Sequence, residues 1–71
     1  MKYDYGEEVL YNCSDDDGMA TTIPCAIVGI TPVETIEQAK AFGYPRGSIL
    51  YTIEFGDGAD KLVSENELTA S

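Results

Sequence analysis

SILYTIEFGDG, residues 48–58, is the stretch from which the fold can be read. Ile49, Tyr51, Ile53 and Phe55 recur at every second position, while Ser48, Thr52 and Glu54 take alternate places. That period marks a strand with one buried face, and its β-branched and aromatic residues suit a pleated surface. Leu50 interrupts the polar side and predicts a second, smaller apolar contact on the outer face. Gly56-Asp57-Gly58 tolerates positive φ and a tight reversal, so Lys61, Leu62 and Val63 read as the returning strand. The aromatic face is core before it is anything else, because a chain this short has few other large side chains to bury.

Toward the N-terminus, Tyr3 to Gly6 reads as an irregular lead-in, and residues 7–13 (EEVLYNC) as a first strand. Val9, Tyr11 and Cys13 share one of its faces, and Leu10 falls on the other. Residues 14–18 (SDDDG) have the composition of a turn. Residues 21–30 (TTIPCAIVGI) are apolar on both sides and read as a central strand, with a bulge or bend at Pro24 or Gly29. Thr31-Pro32-Val33-Glu34 predicts a helix start: a capping threonine, a proline at the first helical position and a glutamate three residues after the cap. The expected helix covers residues 32–42, offers Ile36, Ala39 and Phe42 to the core, and ends at Gly43. Tyr44-Pro45-Arg46-Gly47 reads as an exposed turn carrying an aromatic and a cation, residue types common at binding hot spots. Ser64-Glu65-Asn66-Glu67 reads as one helical turn, Leu68 as core, and the last residues are expected to fray.

The 71 residues make one small domain, 1–71, with 13 acidic against 4 basic residues and no histidine. This charge repels phosphate backbones and anionic lipid, so direct nucleic-acid or membrane binding is disfavoured and a basic protein partner is favoured. Net charge of this size also serves solubility alone. The segment MKYDYGEEVL lacks the apolar run of a signal peptide and no stretch is long enough to span a bilayer, so a cytoplasmic protein is expected. Cys13 and Cys25 form no Cys-x-x-Cys motif, and without histidine a zinc ligand set is lacking. Free thiols are expected in a reducing compartment, although a hairpin of the first two strands leaves a disulfide open.

With the strands placed, the pattern resembles a small Src-homology-3-like barrel of the Tudor-like kind. Gly6-Glu7-Glu8-Val9-Leu10-Tyr11 is similar to the entry into the first strand, and Pro24-Cys25-Ala26-Ile27-Val28-Gly29-Ile30 to the second. Tyr51-Thr52-Ile53-Glu54-Phe55-Gly56-Asp57-Gly58, followed by Val63 and Leu68, resembles the Tudor-type hairpin. The resemblance implies a mainly β, five-stranded barrel with one short helix inserted between strands 2 and 3. It departs from the family in the length of residues 31–47 and in the absence of tryptophan. It also implies recognition of a methylated or otherwise cationic ligand by rings drawn from Tyr5, Tyr11, Tyr44, Tyr51 and Phe55.

Catalysis is not expected: histidine is absent and no base stands beside either cysteine. No cofactor is implied. Asp15-Asp16-Asp17-Gly18 looks like part of a calcium loop, yet that alignment puts Cys13 at the first ligand position and Pro24 at the twelfth, so no metal site is assigned. The favoured reading is a protein-binding module. Asp4, Glu7, Glu8, Asp15, Asp16 and Asp17 are expected to form one acidic end, extended by Glu54, Asp57, Asp60, Glu65 and Glu67. Such a surface suits the DNA-binding face of a regulator or nuclease, as an antirepressor, immunity-type or nucleic-acid-mimicking inhibitor of the kind carried on mobile elements or gene cassettes. An exposed edge strand leaves a homodimer open.

Overall fold

The computed structural model describes residues 2–71. Its elements are β1 (Glu8–Ser14), β2 (Ala20–Pro32), α1 (Ile36–Phe42), β3 (Ile49–Phe55), β4 (Asp60–Ser64), a 3-10 turn at Glu65–Glu67 and β5 (Leu68–Ala70). The protein is mainly β, with five antiparallel strands in the order β4-β3-β2-β1-β5 and one short helix between β2 and β3. Each of the first three strands pairs with its successor, and β5 crosses back to the free edge of β1. Among the described residues no helix is long and apolar enough to cross a membrane.

The period-two reading of β3 holds where it matters most. Tyr51 and Ile53 are fully buried, packed with Val9, Ile27, Val63 and Leu68, while Ile49 and Phe55 border that cluster half-buried. Leu50, on the opposite face, is also fully buried, as is Val33, and both lie outside the main cluster, in keeping with the second apolar site expected there. β2 is central, as its two-sided apolar character predicts, and its irregularity falls at Gly29 rather than Pro24. Ile27 faces Ile53 while Gly29 faces Thr52, so Val28 is the inserted residue. A Cβ on Gly29 would stand 3.1 Å from both Cβ and Oγ1 of Thr52, a tight contact that Thr52 would have to yield to by a few tenths of an ångström.

Three expectations are corrected. The helix does not begin at Thr31. Thr31 pairs with Leu50 and Pro32 with Ile49, and the Val33 amide donates to the Ser48 carbonyl at 2.8 Å, so the ladder claims these residues and buries Val33. The capping box sits four residues later: the Gln38 amide donates to Thr35 Oγ1 at 3.1 Å, and the Thr35 amide to Gln38 Oε1 at 3.0 Å. No residue of α1 is buried, and Ile36 is 59% exposed, so the stripe of Ile36, Ala39 and Phe42 does not feed the core. The C-terminal residues do not all fray, because Leu68, Thr69 and Ala70 pair with Tyr11, Leu10 and Val9.

The lead-in is irregular, as expected, and it packs onto the core. Tyr3 is buried to 2% exposure, its ring meets Tyr51 edge-on, and its hydroxyl donates to the Leu68 carbonyl at 3.3 Å. The Tyr51 hydroxyl in turn accepts from the amides of Lys2 and Tyr3. The segment is therefore a cover over the core that satisfies a buried phenol, which would otherwise lose its hydration without replacement. Among the described residues no buried side-chain polar atom is left without a partner.

Candidate functional site

Strand register assembles a site that linear reading divides. Glu8 pairs with Ala26, Ala26 with Glu54, and Glu54 with Asp60, so one row across the outer sheet face reads Glu, Ala, Glu, Asp. Neighbouring strands lie about 4.8 Å apart, which places the α-carbons of Glu8 and Glu54 roughly 10 Å apart with Ala26 between them. The next row on the same face is Leu10 and Pro24, at the level where β3 has already ended in the turn at Gly56. Glu8, Leu10, Pro24, Ala26 and Glu54, without Asp60, line a groove of about 600 Å³ that Ser71 also borders. The glycines at 56 and 58 keep one wall low. Glu8, Glu54 and Asp60 are all exposed.

The six carboxylates expected at one acidic end are not together. Asp4, Glu7 and Glu8 flank the start of β1, where the Asp4 amide donates to Glu7 Oε1 at 3.1 Å and the Glu7 carbonyl accepts from Ile27. Asp15, Asp16 and Asp17 form the β1–β2 turn, held by two bonds from the Asp17 and Met19 amides to Asp15 Oδ1. Glu8 and Ser14 bound β1, so the two groups stand about 20 Å apart. The shared outer-face parity of Glu8 and Glu54 was visible in the sequence; which residues meet across β2 was not.

The five candidate ring donors do not converge either. Tyr51 is fully buried and bonded to the N-terminal segment, out of reach of a ligand. Tyr5 is exposed in the turn before β1, and Tyr44 is half-buried in the α1–β3 connection. Only Tyr11 and Phe55 meet, at 5.9 Å between ring centroids and an interplanar angle of 65°. The protein's own Lys61 places its Nζ 5.2 Å from the Tyr11 centroid. Interaction with Tyr11, first as a hydrogen-bond partner, pushes the Lys61 pKa up from its ordinary value. That ring face thus already holds a cation.

Cys13 and Cys25 are free thiols. The hairpin does form, but Cys13 faces Thr21 and Cys25 faces Val9, so the two sulfurs are offset by four residues along the strands. Cys25 is buried with its Sγ 3.6 Å from the Val9 carbonyl, and burial raises its pKa above the ordinary value. Among the described residues no group of three or more potential metal ligands is gathered. Comparison with known proteins finds no matching family model, no similar curated protein and no matching solved structure.

Proposed function

We propose that this protein is a non-catalytic interaction module that docks on a basic protein through the acidic row of its outer sheet face. The observation that carries this reading is the placement of Glu54 directly opposite Asp60, with Glu8 in the same row. Like charges directly opposite one another destabilise a strand pair. Both carboxylates are exposed, so core packing requires neither. A partner's cations covering the row would remove that penalty. The net charge of −9 adds long-range attraction for a basic partner and repulsion of polyanions.

The strand order, with the 3-10 turn returning β5 to the edge of β1, supports the finer reading of a Src-homology-3-like barrel of the Tudor-like kind. The excess of carboxylates on so small a scaffold supports an antirepressor- or immunity-type role in which the row stands in for phosphates. A second reading, capture of a methylated cation, has one contact in its favour: Lys61 over Tyr11. A methyl-lysine peptide would have to displace Lys61, and the Tyr11 and Phe55 ring resonances would report it.

The test is affinity capture from host lysate at low and moderate salt with three proteins: wild type, E54K/D60K, and D15K/D16K/D17K. We expect a stoichiometric basic partner that wild type and the triple variant retain and that E54K/D60K and moderate salt release. Retention by E54K/D60K with loss by the triple variant would move the site to the hairpin turn. A capture no richer than that of a matched acidic control would end the module reading.

A further inference from the structure

Ala26 is the smallest side chain of the acidic row and stands between its two glutamates, so the groove contains a slot with a carboxylate on either side. Guanidinium is the cation that fits such a slot: it is planar and carries five N–H donors in a fixed fork, enough to serve two carboxylates at once. A lysine ammonium is a compact point charge and cannot span both as well. The slot also supplies a bed for an aliphatic stem, because Pro24 and Leu10 continue its floor. These two lie two residues along their strands from Ala26 and Glu8, about 6.6 Å away, which is the repeat between side chains on one face of an extended chain.

We infer that the slot takes an arginine from an extended segment of the basic partner, and that the residue two positions along lays an apolar side chain on Leu10 and Pro24. This rests on the basic-partner reading above and specifies that partner's chemistry. Charge decides between this occupant and a second copy of the chain. Two copies each carry −9, and the one arginine of the sequence, Arg46, is engaged through its Nε with the Glu34 carbonyl. The groove's volume of about 600 Å³ lies within the range of small ligand sites and suits a few side chains rather than a folded surface.

The experiment is an NMR titration of the isotope-labelled full chain with short capped peptides in a glycine-serine background. One carries arginine and leucine two residues apart, a second replaces the arginine with lysine, and a third sets arginine and leucine side by side. The first peptide should shift amide resonances centred on Leu10, Ala26 and Glu54. E8Q and E54Q should each weaken it roughly threefold and together about tenfold. A26L should close the slot while the dispersed spectrum persists, and the glutamine variants keep the test decisive should A26L disturb the sheet. No shift at millimolar peptide overturns the inference, as do equal affinities for the three peptides or shifts confined to Tyr11 and Lys61. Concentration-dependent shifts at the same residues without peptide would assign the groove to a second copy and overturn it as well. The two readings fail separately. A basic partner captured equally by wild type and by the E8Q/E54Q variant removes the arginine slot and leaves the module, whereas no basic partner at all removes both.

Discussion

Where Tyr3 meets Tyr51, with ring centroids 5.4 Å apart, both rings are buried; four residues along β3, Tyr11 meets Phe55 at 5.9 Å and both stay half-exposed. The two pairs share an edge-on geometry and differ in what covers them. The first is sealed by the N-terminal segment, which gives the Tyr51 hydroxyl two amide donors and takes the Leu68 carbonyl for Tyr3. At the second, β3 has ended, the β1–β2 hairpin continues without it, and only Lys61 lies over the ring. Tyr51 is buried where the chain supplies two amide donors for its hydroxyl; Tyr11, whose partner is the exposed Lys61, stays half-exposed and keeps its polar end wet.

The contrast is sharpest in truncation. Tyr51→Ala should cost about 3–5 kcal/mol of unfolding free energy, the range for a fully buried aromatic. Phe55→Ala, half-exposed, should cost about 1–2 kcal/mol. Urea denaturation of both variants measures the difference, and equal losses would erase the distinction between a sealed and an open pair. Next in size, Tyr3→Phe keeps the ring and removes only the donor to Leu68, for an expected loss of about 1 kcal/mol. A loss approaching that of Tyr51→Ala would mean that the hydroxyl network, and not ring burial, closes this end.

The cysteines probe the same contrast more gently. Cys13, half-buried beyond Tyr11, should react with a thiol reagent well before buried Cys25, and unfolding should equalise the two. Equal rates in the folded protein would show that the core opens locally near Cys25. The smallest effect is on pH dependence. Burial holds the Cys25 thiol above its ordinary value of 9.0, so its contribution to stability is complete below that pH and falls as pH rises through the folded-state pKa. Between the ordinary thiol value of 9.0 and the ordinary lysine value of 10.5, melting temperature should therefore decline less steeply in Cys25→Ala than in wild type. Parallel declines would remove Cys25 as the cause.

What could be read in advance follows the range of each interaction. The alternation of Ile49, Tyr51, Ile53 and Phe55, the apolar run through β2 and the glycine turn after Phe55 are local, and they yielded the strands, the turns and the insertion between β2 and β3. The helix start was legible as chemistry but not as position, because Thr31 and Thr35 both open a capping sequence. Pairing of Thr31 with Leu50 and Pro32 with Ile49 decided between them. The acidic site was legible only as composition. Glu8, Glu54 and Asp60 are far apart in the chain, and the aspartates of the first turn, nearer to Glu8 in sequence, lie at the other end of the strand.

The sequence by itself determined that this is a small, mainly β, strongly acidic protein, because strand period, turn chemistry and charge are properties of residues and their immediate neighbours. Only the tertiary structure decided that Tyr3 seals the core, that Leu68, Thr69 and Ala70 close onto β1, and that Ala26 stands between two glutamates. Each of those depends on strand register, and register is fixed by long-range pairing, in which a shift of one residue turns every side chain to the opposite face.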